Sequence, residues 1–209
     1  MLGRQASRSI TAACKLLTKG SWTSEIFIRL AEFGGYVTNT FTTVLGYMGT
    51  RVRQRLGVDG RLDSLSDIFN FIQLDDRVAT SGQPTEAQFG LVRDAGYTTV
   101  INLAPKSHEN ALGNEDEILE RMGIRYIHLP VIFTSPTRGD FERFINALES
   151  CDDDRIWVHC AANMRVSAFF FKYRTERLGW PAEQAQADLN KIWEPGKLMG
   201  VWQDFIEKA

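Results

Sequence analysis

Two residues carry the plainest chemistry in the chain, Cys160 and Arg165, within Ile156-Trp157-Val158-His159-Cys160-Ala161-Ala162-Asn163-Met164-Arg165-Val166-Ser167. A β-rich segment ends at His159-Cys160, four residues intervene before Arg165, and an apolar helical stretch begins at Val166. A thiol at a strand end, facing a helix N-terminus, sits where backbone N–H groups and the helix dipole favour negative charge. Such a setting moves a thiol pKa from about 8.5 into the range of about 3.5–7.5, giving a thiolate nucleophile at neutral pH. The amides of Ala161, Ala162, Asn163 and Met164 would form an anion cradle. Arg165 would close it with a planar fork suited to phosphate. The bland alternative is a buried cysteine acting as a small hydrophobe, with Arg165 on the surface of a first helical turn. The compound pattern of His-Cys, small-residue loop and closing arginine favours a functional anion-binding loop.

Other residue types suggest less. His128 and His159 have no Cys or carboxylate partners at metal-ligand spacing, so the sequence calls for neither a metal nor a cofactor. His159 either orients the loop or is a satisfied histidine beside a strand end. Trp193 and Trp202 fit apolar helical stripes and are expected in the core. Three cysteines, Cys14, Cys151 and Cys160, make no disulfide framework. Cys151 and Cys160 flank a strand that spans about 17 Å, well past the limit of about 7 Å for a bridge. A reducing, cytoplasmic compartment suits a lone reactive thiol.

The 209 residues, 44% hydrophobic and 24% charged, suit one soluble domain of ordinary size plus an extension. A net charge of −2 and the lack of a basic stripe give no argument for nucleic-acid binding. Charge is uneven: residues 1–56 carry eight Lys/Arg against Glu25 and Glu32, while the remainder carries 16 basic and 24 acidic residues. The first 24 residues lack any acid and place Ile10, Ala13 and Leu17 on one helical face. This is the composition of a transit peptide, or of a basic arm on a membrane surface or a partner. Phe33–Thr50 is uncharged but is a poor membrane span, because four glycines and five threonines dilute its apolar residues. Residues 1–64 are therefore read as a basic extension, organelle-targeting, membrane-associated or partner-binding, and 65–209 as the main domain.

In that domain strands and helices alternate. Arg77–Thr80 is a strand broken by Ser81-Gly82-Gln83-Pro84, and Thr85 opens a helix with Gln88 completing a capping box. Thr98–Leu103 is a buried-type strand. Glu115–Met122 is a helix for which Asn114 is a suitable cap. Arg125–Val131 is a strand, and Thr137 with Asp140 opens a helix whose stripe is Phe141, Phe144, Ile145 and Leu148. Arg155–His159 is the central strand, followed by helices at Val166–Leu178, Ala182–Trp193 and Lys197–Glu207. Repeated β-α units imply an α/β fold with helices on both faces of a sheet. Ligands bind beyond the strand C-termini in such sheets, where Cys160 lies.

Ser81-Gly82-Gln83-Pro84, Thr98–Leu103 and the loop His159–Ser167 together resemble the bacterial protein-tyrosine-phosphatase-like family, which includes the phosphatase-like domain of beta-lactamase-hydrolase-like proteins. The resemblance runs from about Asp75 to Ala209. It implies a cysteine-phosphatase-like central sheet with helices on both faces, Cys160 as nucleophile and Arg165 as ligand of the phosphoryl oxygens. It also implies phosphate contacts from the amides of Ala161, Ala162, Asn163 and Met164. The four-residue spacing matches the shorter loop of the bacterial subfamily. Asn163 stands where a glycine is common and is the best substitute for a left-handed residue. Two departures follow. The hydroxyl that usually follows the arginine and assists the thiolate as leaving group is replaced by Val166, so the resemblance passes that catalytic role to Ser167, one residue later. The loop Ile132-Phe133-Thr134-Ser135-Pro136 lacks the usual aspartic acid, with Asp140, Glu194, His108 and Glu109 as the nearby candidates.

Three functional classes result. The leading one is a cysteine-dependent phosphatase acting on a phosphorylated protein or a small phosphate ester through a phosphocysteine intermediate. A rhodanese-like sulfurtransferase shares the loop spacing but would need a Gly-Gly and Trp arrangement that is not seen after the loop. A non-catalytic phosphate-binding module is favoured by the absent acid.

Overall fold

The computed structural model describes residues 39–56, 63–151, 154–196 and 199–207. The chain divides into two units, Met1–Val37 and Thr38–Ala209. The basic arm, Cys14 and the start of the uncharged window lie outside the described residues. Among the described residues no helix is long and apolar enough to cross a membrane.

The second unit is built on a five-stranded sheet: β1 (Ile72–Gln73), β2 (Val78–Ser81), β3 (Thr99–Asn102), β4 (Arg125–His128) and β5 (Ile156–His159). The order is β1-β2-β5-β3-β4, with β1 antiparallel to β2 and the other pairs parallel. β5 is thus central. Around the sheet lie α1 (Asn39–Arg55), α2 (Glu86–Asp94), α3 (Glu115–Arg121), α4 (Arg138–Glu149), α5 (Met164–Glu176), α6 (Ala182–Ile192) and α7 (Gly200–Glu207). The α/β class and the helices on both faces agree with the sequence pattern.

Local chemistry sets most boundaries. Thr85 and Gln88 make the capping box of α2, and Thr137 and Asp140 that of α4. α2 and α3 each give way to a glycine in the left-handed region, Gly96 at φ 83° and Gly123 at φ 71°. Asn114, expected to cap α3, makes no side-chain cap bond; its backbone lies at φ −123°, ψ 35°.

Because side chains alternate along a strand, each face of the sheet has its own core. Ala79, Val100 and Trp157 share a register row and pack with Phe89 and Val92 of α2 and Ile118 and Leu119 of α3. A second core joins α4, α5 and α7, where Phe169 meets Phe141, Phe144 and Phe205 at ring separations of 5.8, 5.5 and 5.1 Å. Each such buried phenylalanine contributes roughly 1.5–3 kcal/mol. Trp193 and Trp202 are fully buried, as their spacing predicts.

α1 belongs to the 1–64 segment of the sequence and to the same compact unit as the sheet. Thr43 Oγ1 donates to Ile192 O (2.5 Å), and Glu194 N–H donates to Thr40 Oγ1 (2.8 Å). Phe69 is wedged between two glycines: a Cβ on Gly46 of α1 would lie 2.5 Å from its ring, and one on Gly82 2.8 Å.

Candidate active site

Cys160 leaves the end of β5, and its N–H donates to Ser81 O (3.3 Å). His159 faces the α2–α3 side, against Phe89 and Glu115, so strand alternation turns Cys160 to the opposite side, toward α5. Cys160 through Ser167 are all buried. Cys151 and Cys160 are both free.

The loop is held from outside. Ala161 O accepts from Gln83 N–H (3.3 Å), and Ala162 O accepts from Asn70 Nδ2 (3.0 Å). Both carbonyl oxygens, which would repel a phosphate dianion, are thereby engaged by neighbouring segments. The trans peptide sends the Ala162 N–H the opposite way from Ala161 O. Asn163 returns the clasp: its Nδ2 donates to Asn70 O (2.7 Å) and to Thr80 Oγ1 (3.0 Å). Asn163 lies at φ 63° and Asn70 at φ 52°, so both asparagines adopt the left-handed region that this residue type tolerates. The first helical bond of the segment is Ser167 N–H to Asn163 O (3.0 Å). The amides of Met164, Arg165 and Val166 precede it and have no intrahelical acceptor.

Arg165 is not a surface residue: it is 8% exposed, its Nε donates to Val131 O (2.9 Å), and its guanidinium lies 5.0 Å from the Phe133 ring centroid. The stem is thus fixed on one edge and one face, which orients the fork. Ser167 is engaged elsewhere. Its Oγ donates to Met164 O (3.1 Å) and accepts from Trp193 Nε1 (3.1 Å), and none of the described hydrogen bonds joins it to Cys160.

Behind the loop lies a buried polar network that the sequence reading missed. Glu115 accepts from Gln83 Nε2 (2.5 Å) and Asn102 Nδ2 (2.8 Å), and its Oε1 lies 3.1 Å from His159 Nε2. Burial alone would raise the Glu115 pKa, but the His159 charge and the bonds from His159 and Gln83 outweigh it and hold the carboxyl at about 2. The same burial and the same carboxylate push Tyr126 up. Glu115 is the first of three consecutive acids. The signal that singles it out is its spacing of three and four to the buried Ile118 and Leu119, which places it on the inward face of α3.

The loop Ile132–Pro136 brings no acid. Phe133 there packs against Trp193 and Trp202, and its carbonyl accepts from Trp202 Nε1 (2.8 Å). Asp140 is occupied by Thr137 N–H (2.9 Å) and the Arg143 guanidinium (2.5 Å), a helix-start role. Glu109 pairs with Arg51 of α1, and Glu194 is exposed. His108 is depressed to about 4, by burial first and then by the charges of His159 and Arg165. Tyr47 of α1 lies within electrostatic reach of Arg165 and Cys160, and burial pushes its phenol up. Among the described residues no group of three or more His, Cys, Asp or Glu could hold a metal ion.

The family model "DSP-PTPase phosphatase fused to NAD+ kinase" matches residues 64–198. A beta-lactamase hydrolase-like protein of Xylella fastidiosa (strain Temecula1) is 35% identical over 98 residues, covering 46% of this chain and 22% of that protein. The match thus spans about a fifth of this curated relative's length. A solved candidate phosphatase from Shewanella putrefaciens CN-32 is 29% identical at a TM-score of 0.61, covering 71% of this chain and 96% of that one. TpbA of P. aeruginosa, solved in complex with pTyr, shares the fold at 15% identity and a TM-score of 0.57, covering 72% of this chain and 89% of that one. With the family model matched over more than half its length, and a sheet that carries a cysteine-arginine loop at the end of its central strand, the chain belongs to the DSP-PTPase-type phosphatases of the NAD+ kinase-fused family.

Proposed function

We propose that the protein hydrolyses phosphate monoesters, of a phosphorylated protein or a small molecule, through a phosphocysteine formed on Cys160. The observation that carries this reading is the reciprocal Asn70–Asn163 clasp, which occupies a loop carbonyl and fixes a left-handed turn between the thiol and Arg165. Such a turn gathers amides around a point in front of the sulfur, where the charge of a transferring phosphoryl group develops. In the first half-reaction the sulfur attacks phosphorus and the alcohol or phenol leaves; in the second, water attacks phosphorus and the thiolate is released. Arg165 binds two equatorial oxygens through the fork that Val131 and Phe133 hold in place. Glu115 keeps His159 and the root of the loop fixed from behind.

Hydrolysis of p-nitrophenyl phosphate by the purified chain, with and without chelator, tests the reading against the Cys160→Ser variant. The expected result is chelator-resistant turnover in the native protein and none above background in the variant, with inorganic phosphate still bound. Binding without turnover in both would identify a phosphate-recognition module. Thiosulfate-to-cyanide transfer in place of hydrolysis would identify a sulfurtransferase.

A further inference from the structure

The phosphatase reading leaves the proton of the leaving group unassigned, and the structure places one side chain for it. Arg165 starts beyond β5 and reaches the carbonyl of Val131, beyond β4. β3 lies between those two strands. The arginine therefore crosses the carboxyl end of β3, from which the loop 104–113 rises. Leu103 N–H on His159 O (2.9 Å) and Val131 N–H on Leu103 O (3.0 Å) pin the root of that loop to both neighbours. His108 sits in it. Both its ring nitrogens are buried and unpaired among the described residues, and the Asn110 side chain lies beside the ring without making a properly directed bond. Buried polar atoms ordinarily have partners, so an imidazole with both nitrogens open is available for a group that enters the site.

The loop is also latched. Arg51 of α1 pairs with Glu109, and Gln54 Nε2 donates to Asn110 O (3.3 Å), fixing the two residues that follow His108. Lys106 Nζ on Asp116 (2.8 Å) fixes the other flank. α1 precedes the segment that the family model matches, so part of this latch comes from outside it. The charged groups around the ring are Arg165 of α5, His159 of β5, Glu115 of α3 and the nearby Arg51–Glu109 pair.

We propose that His108, latched over Arg165 by α1, donates the proton to the departing oxygen, so that the site takes esters of poorly leaving alkyl alcohols as well as aryl esters. This rests on the phosphatase reading above. Burial, with the Arg165 charge beside it, keeps the ring neutral in the free protein. The substrate monoanion brings the proton: its transfer to His108 leaves a phosphate dianion on Arg165 beneath an imidazolium, with no change in net charge. As the S–P bond forms and the P–O bond breaks, the imidazolium proton passes to the leaving oxygen and the neutral alcohol departs. His108, neutral again, then accepts a proton from the water whose oxygen displaces the thiolate.

The test compares kcat/KM for p-nitrophenyl phosphate and for an alkyl phosphate, O-phosphoserine, across pH, using the full chain. A nitrophenolate leaves without protonation and an alkoxide does not. A positioned acid contributes about 10²–10⁴-fold, so His108→Gln should raise the aryl-to-alkyl ratio by about 10² or more. It should also abolish the fall of alkyl turnover at high pH, which a merely structural residue would not do. Arg51→Met, which opens the latch at a distance from the ring, should raise the same ratio by a smaller factor. Equal losses on both esters, or an unchanged ratio and pH profile in His108→Gln, would overturn the assignment while leaving the Cys160 reading intact. A native chain inactive on both esters would overturn the two together.

Discussion

Replacing Asn163 by glycine and by alanine separates two contributions to the phosphate loop. Both variants lose the bonds to Asn70 O and Thr80 Oγ1, at 2.7 and 3.0 Å. At a net worth of about 1 kcal/mol each, both should be destabilised by about 2 kcal/mol. Alanine at φ 63° must also meet the left-handed cost of about 1–2 kcal/mol. Glycine escapes that cost, but its freer unfolded chain gives back about 0.4–1 kcal/mol. The glycine variant should therefore be the more stable of the two by about 0.5–1 kcal/mol, the reverse of the ordinary order. Urea unfolding of the two variants under matched conditions reads this as a difference in midpoint at unchanged slope. Inorganic phosphate should bind both more weakly than the native chain, and the alanine variant most weakly. An alanine variant as stable as the glycine one, or more so, would mean the left-handed turn is not imposed at this position, and the account of the loop would fail.

Three further outcomes follow from the same geometry. Gly82→Val places a Cβ 2.8 Å from the Phe69 ring and 3.1 Å from Ala161 O. Overpacking of about 1–3 kcal/mol and a loss of phosphate binding are expected; a native-like melting curve with full binding would contradict it. Glu115 has a folded-state pKa below its ordinary value of 4.5, so its contribution is full above that value and is lost as pH falls toward about 2. Acid unfolding of the native chain should therefore steepen in that window, and Glu115→Gln should be less stable at neutral pH with a flatter acid limb. An unchanged limb would remove the His159–Glu115 pair from the account. Arg165→Lys keeps the charge but loses the bond to Val131 O and the planar fork over Phe133. Most turnover on p-nitrophenyl phosphate should go with it; retained turnover would make Arg165 a packing residue.

What the sequence made legible was local. The boxes Thr85–Gln88 and Thr137–Asp140, the glycine stops and the left-handed Asn163 each depend on residues within a few positions, and each stands in the structure. Arg155–His159 was legible as the central strand, but β-α alternation alone does not set the order that inserts β5 between β2 and β3. Partners distant in the chain were not legible. Asn70 lies 93 positions from Asn163, and nothing in its neighbourhood marks it as the other half of a clasp. β1 has only two residues, too few to show a period. α1 is rich in threonine and glycine, which disfavour helix, and forms where Phe69 fits between Gly46 and Gly82 and where Thr43 reaches Ile192. Asn114 had the right chemistry for a cap, but its backbone is not in the extended conformation that directs such a side chain to the helix N-terminus. Ser167 was suggested as the hydroxyl nearest the arginine, yet the helical turn carries it to Met164 O and Trp193.

The central claim is that a phosphoryl group passes through Cys160. Alkaline quenching of the native chain during turnover of p-nitrophenyl phosphate, which preserves an acid-labile phosphorus–sulfur bond, followed by peptide mass spectrometry, examines that step itself. The account predicts a phosphoryl adduct on the peptide containing Cys160, absent from the peptide containing Cys151 and absent in Cys160→Ser. Steady turnover with no adduct on Cys160, or turnover that persists in the Cys160→Ser variant, would contradict it.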